Sequence, residues 1–154
     1  MSIIILDLQV ACKIKKGLPT KENFLLWITT TMSVFYYKNK TITIRIVDKK
    51  EMQKLNFMFC KKNKPTNVLS FPFKPPNHIK IELLGDLVIC RQIVEIEAIE
   101  QKKSLESHWA HMVVHGFLHL LGYDHTSQNL AVKMESLEKK IMLFLGYPDP
   151  YLIQ

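Results

Sequence analysis

Five of the six histidines fall between residues 108 and 125: His108, His111, His115, His119 and His125. His115 and His119 are four apart, so on an α-helix both imidazoles leave the same face, one turn from each other. Gly122 stands where a left-handed residue ends a helix, which lets the chain turn back and carry His125 toward the same point. The pattern HxxxHxxGxxH is a three-imidazole frame suited to a tetrahedral metal whose fourth position is left to water. Imidazole ligation and tetrahedral geometry favour zinc, one ion per chain, although nickel and copper also bind such sets. One histidine at helical spacing is ordinarily a core or surface residue. Three at this spacing, with a glycine where the turn must come, read as a metal site.

Neighbouring residues take supporting parts. His111 is one turn before His115 and lies farther round the helix from His119, so it is expected behind the ligands rather than among them. Asp124, beside His125, either orients a ligand imidazole from behind or is a turn residue in Gly122-Tyr123-Asp124. His108 and Trp109, near the helix start, read as capping or packing residues. The long zinc-peptidase signature HExxHxxGxxH has the same ligand spacing, but its Glu is the general base. Here that position is Gly116, which has no side chain, and peptide hydrolysis drops to a minor hypothesis. The sequence names no protein general base: the base is metal-bound hydroxide, a polar group elsewhere, or the substrate, and the nucleophile is left open between water and a substrate hydroxyl.

The elements that must position this cluster follow from periodicity. Residues 2–10 read as a buried first strand. Residues 20–37, with Thr20 as N-cap and Phe24, Leu25, Trp27 and Ile28 at helical spacing, read as a helix. Thr41 to Val47 alternates as a half-buried strand. Asp48 followed by Glu51 suggests a capping box opening a short helix through Leu55 and Phe59. Pro65 stops regular structure, residues 67–71 form a strand ended by Pro72, and Pro75-Pro76-Asn77 makes a turn. Leu83 to Cys90 is a nearly continuous apolar strand, and from residue 91 onward the pattern is helical. The 154 residues then make one α+β domain, 1–154, with one mixed β-sheet covered by helices and the zinc site on a helix of the C-terminal half and its following turn.

Composition narrows the partners. Apolar residues are 47% and charged residues 23%, which is globular rather than disordered. A net charge of +7 points to an anionic partner, nucleic acid before membrane, though 19 of the 21 basic residues are lysines and base composition alone can produce that bias. No segment reaches the ~20 apolar residues of a membrane span. Cys12, Cys60 and Cys90 form no CxxC pair, so a thiolate zinc knuckle is excluded and reduced thiols in a cytoplasmic protein are expected. Between Phe57 and Lys74, phenylalanines 57, 59, 71 and 73 interleave with Lys61, Lys62, Lys64 and Lys74. Lysines at 61, 62 and 64 are expected to track phosphate, and Thr66, Asn67 and Ser70 to hydrogen-bond substrate or cap the turn. The alternating phenylalanines are expected in the core, as are Met134, Leu137, Ile141 and Leu145 of the last helix.

The segment from His108-Trp109-Ala110-His111 through His115-Gly116-Phe117-Leu118-His119-Leu120-Leu121-Gly122-Tyr123-Asp124-His125 closely resembles the YbeY family of single-domain, metal-dependent endoribonucleases. The resemblance extends to Pro65-Thr66-Asn67-Val68-Leu69-Ser70-Phe71-Pro72-Phe73, to Leu84-Gly85-Asp86-Leu87-Val88-Ile89-Cys90 and to the tail from Met134 to Tyr147. It implies zinc held by His115, His119 and His125, single-stranded ribosomal RNA as substrate, and 3′-end maturation of small-subunit ribosomal RNA. Contact with the small ribosomal subunit and a part in ribosome quality control come with it, while the oligomeric state stays open. One departure carries chemical weight. The family usually has an arginine before the Pro65 segment, and that position is Cys60 here, which cannot offer a planar charged fork to a phosphodiester. A non-catalytic ribosome-assembly factor that binds RNA around a structural zinc is therefore the alternative function.

Overall fold

The computed structural model describes residues 3–35, 39–77, 79 and 82–152. In chain order the elements are β1 (Ile4–Val10), α1 (Lys21–Ser33), β2 (Lys40–Val47), α2 (Lys49–Cys60), β3 (Val68–Pro72), β4 (Leu83–Cys90), α3 (Arg91–Glu100), α4 (Leu105–Leu120) and α5 (Gln128–Phe144). The strands form one sheet in the order β1-β2-β4-β3. β1, β2 and β4 run parallel, while β3 lies antiparallel on β4, so the sheet is mixed and the fold is α+β.

Side-chain alternation decides what covers each face. Ile42, Ile44 and Ile46 of β2 join Leu87 and Ile89 of β4 in a fully buried layer beneath Phe24, Trp27 and Ile28 of α1 and Trp109, Val113 and Phe117 of α4. The opposite set, Val47, Val88 and Cys90, packs with Met52 and Leu55 of α2 and with Leu69 and Phe71 of β3. The near-continuous apolar run of β4 is thus explained by burial on both sides. Gly85 has φ +147°, and a Cβ there would collide with the Phe71 carbonyl oxygen, so β3 can close on β4 only over a glycine.

Several local expectations are corrected. The first strand is not buried. It is an edge strand in which only Leu6 is buried and Ile5 is exposed, because α2 covers the inner strands and leaves this margin open. The helix expected over 20–37 ends at Ser33 with Val34 as C-cap, and residues 36 and 37 lie outside the described residues. Its start is as expected, since Thr20 and Asn23 form a reciprocal capping box. The box at Asp48 and Glu51 does not form. Asp48 accepts instead from the Lys13 amide (2.8 Å) and Gln92 Nε2 (2.6 Å), and Glu51 takes a bidentate pair from Arg45 at 2.7 and 3.1 Å. Charge-assisted partners from distant elements outcompete a local cap. The phenylalanines are not all core either. Phe71 is partly buried, whereas Phe57, Phe59 and Phe73 are exposed.

Candidate metal centre

α4 is built to hold its ends firmly. Ser104 caps it by accepting from the Ser107 amide, and Glu106 adds negative charge to the first turn. At the other end the Gly122 amide donates to the His119 carbonyl and the Tyr123 amide to that of Leu118. With Gly122 at φ +100°, this is a full Schellman stop. Between the caps, Trp109, Val113 and Phe117 face the sheet, while His108, His111, His115 and His119 fall on the other side at helical spacing. Gly116 lies on the sheet side. A Cβ there would come within 2.9 Å of Leu87 Cδ2 and 3.2 Å of Val68 Cγ2, and Ser70 Oγ donates to its carbonyl at 3.1 Å. The position that carries the base in zinc peptidases is here a close contact between helix and sheet, with no room for a carboxylate.

His115, His119 and His125 converge. One ring nitrogen from each lies within 4.8 Å of the other two, and the ring centroids are 4.7, 5.1 and 5.7 Å apart. Zinc–nitrogen bonds of ~2.0–2.1 Å in a tetrahedron need nitrogens roughly 3.3–3.4 Å apart. Burial lowers the His119 pKa, and the neighbouring His115 and His125 rings lower it further. Neutral imidazole, the ligand form, is favoured. The donor set fits a zinc-like ion.

Behind this triad stands a buried residue of α5 that sequence reasoning did not single out. Glu138 is 1% exposed and accepts from His111 Nε2 at 2.5 Å, His115 Nδ1 at 3.3 Å and the Tyr151 hydroxyl at 2.8 Å. Burial pushes its pKa up, but the hydrogen bonds from His111 and His115 outweigh that and hold it at about 2. An ionised acceptor fixes the proton of His115 on Nδ1, leaving the Nε2 lone pair for an ion. A carboxylate inside the apolar stripe of Met134, Ile141 and Met142 was the one signal in the sequence that could have revealed it. His111 bonds the carboxylate, and His111, His115 and Glu138 bring a second set of potential ligand atoms within 4.8 Å of one another. Asp124 accepts from the His125 amide (2.6 Å) and the Thr126 hydroxyl (3.3 Å), which shapes the turn carrying His125. His108 is buried against Glu97 at 2.9 Å, and burial raises the Glu97 pKa less than its His108 and Asn67 hydrogen bonds lower it.

The triad opens into a cleft of about 430 Å³ whose wall includes Cys60, Asn67, Val68, Ser70 and Pro72. Cys60, the exposed last residue of α2, is 55 positions before His115 in the chain yet shares this space. None of the residues lining this cleft is a carboxylate among those described. Lys61, Lys62 and Lys64 are exposed just beyond Cys60, with Lys61 as a left-handed C-cap, and they lie outside the cleft wall. They make no ion pair among the described residues. Thr66 is partly buried in the approach to β3. The Asn67 amide donates to Glu97 at 3.1 Å and Ser70 is engaged with Gly116, so both are tied into the scaffold.

Comparison with known proteins agrees with this geometry. The chain is similar in fold to the solution structure of TM1509 from Thermotoga maritima, with a TM-score of 0.56, 22% identity, and coverage of 94% of this chain and 99% of that one. The family model described as Endoribonuclease YbeY matches residues 9–146. With that match across both the histidine helix and the sheet beneath it, the chain belongs to the YbeY endoribonuclease family.

Proposed function

We propose that this protein is a zinc-dependent endoribonuclease, specific for single strands, that matures the 3′ end of small-subunit ribosomal RNA and serves ribosome quality control in the cytoplasm. The observation that carries the proposal is three convergent imidazoles opening into a cleft walled by β3 and the end of α2, in a member of an endoribonuclease family. One zinc per chain is held by His115, His119 and His125. A bound zinc supplies a Lewis acid for a phosphoryl oxygen and eases deprotonation of a nucleophile. Glu138 orients His115, Gly116 and Ser70 set the helix against the edge strand, and the cleft wall from β3 positions the strand to be cut. The small ribosomal subunit is the natural setting for such a substrate. No helix is long and apolar enough to cross a membrane among the described residues.

The test is cleavage of single-stranded RNA by purified protein, compared with His115→Ala prepared in parallel. The parent should carry about one zinc per chain and cut, while His115→Ala and chelator-treated parent should not. Equal activity in the variant would mean a contaminating nuclease and end the proposal. Cys60 favours one other reading, a binder without catalysis, and that reading expects zinc and RNA binding with no cleavage.

Lys61, Lys62 and Lys64 are proposed to hold phosphates just beyond the cleft wall, since they are exposed and make no ion pair among the described residues. Neutralising all three should reduce the log–log salt slope of RNA binding by roughly 2, at ~0.7 per phosphate on single strands. An unchanged slope would return them to a solvated loop.

A further inference from the structure

We infer that Phe59 and Phe71 form a stacking platform for unpaired nucleobases on the far side of the edge strand from the metal centre, an inference that rests on the single-stranded RNA reading above. β3 closes the sheet and so has a free margin. Its two sides serve different surroundings. Ser70 reaches α4, while Leu69 and Phe71 pack toward α2. Phe59 of α2 meets Phe71 edge to face, with centroids 5.0 Å apart. Yet Phe59 is 58% exposed, so aromatic surface is left uncovered.

The place and the charges argue for nucleotides. Phe59 lines a cavity of about 590 Å³ on the α2 face of the sheet, whereas Cys60, the next residue, lines the histidine cleft. The end of α2 is therefore a wall common to both spaces, and a strand leaving the cleft past Cys60 arrives at Phe59. Immediately beyond stand Lys61, Lys62 and Lys64, exposed and without ion-pair partners among the described residues. Among the described residues lining the cavity the one cation, Arg45, is already bound to Glu51, and Asp86 adds a carboxylate. Phosphates are thus disfavoured inside and favoured at the lysine rim. Bases, which have a π-face and polar edges, suit the interior. Stacking on exposed rings tolerates any base sequence, as a substrate chosen for being single-stranded requires.

The experiment uses the full chain, stripped of metal to prevent cleavage, and a single-stranded RNA oligonucleotide carrying 2-aminopurine. Binding of the parent should quench the fluorophore. Phe59→Ala should weaken binding about fivefold to a hundredfold and diminish quenching, with the salt slope unchanged. Phe59→Trp should restore both. Because this ring is exposed, the melting temperature should hold near the parent value. Parent-like affinity and quenching in Phe59→Ala would overturn the platform and leave the aromatic surface to a protein partner, while the ribonuclease reading stood. Failure of the parent itself to bind would overturn both.

Discussion

Replacing Cys60 with arginine is expected to raise RNA cleavage about thirtyfold to several hundredfold, with zinc content unchanged. The size follows from ~2–4 kcal/mol for one donor preorganised toward developing charge, converted at tenfold per ~1.4 kcal/mol. Cys60 ends α2 with its side chain exposed, and it shares the cleft with His115, His119 and His125. A guanidinium there has room to reach the cleft without displacing core, and it offers the paired donors that a thiol lacks. Nearby lysines bring charge but lie outside the cleft wall. The native chain is correspondingly expected to be a weak nuclease. The measurement is single-turnover cleavage by both proteins, alongside zinc content and melting temperature. A folded, zinc-loaded Cys60→Arg protein that cuts no faster would remove the arginine argument and favour the non-catalytic binder.

Glu138→Gln should weaken zinc binding about tenfold to a hundredfold, the usual cost of losing a carboxylate behind a metal-bound histidine. The neutral amide keeps one acceptor oxygen for donors that now share two, and it no longer holds the His115 proton on Nδ1 by charge. Tyr151→Phe removes one donor from the same carboxylate and should have a smaller effect in the same direction. Chelator competition reads the affinity, and melting of the metal-free protein reads the fold. Lowered melting with parent-like zinc affinity would make Glu138 a structural brace and nothing more.

The parts of this protein that the sequence determined by itself are those governed by contacts within a few residues. The pairing of His115 with His119 follows from helical repeat, and the stop at Gly122 follows from the left-handed conformation that its two Schellman bonds require. Alternation in β2 and the doubly buried β4 were equally legible, as was the Thr20 cap. Asp48 and Glu51 show the limit, because a sound local motif lost to Gln92, Lys13 and Arg45, none of which its spacing could reveal.

Tertiary structure alone decided the rest. It brought Cys60 to the histidine cleft, set Glu138 between His111 and His115, and left Phe59 and Phe73 uncovered at the sheet's edge. It also showed why position 116 is glycine, where the helix lies against Leu87 and Val68. A periodic pattern tells which side of an element is apolar, but it does not name the element that will cover it. That choice depends on strand order and helix packing. The same α5 stripe that buries Met134 and Ile141 therefore also buries an acid, and only the partners brought by α4 make that acid stable.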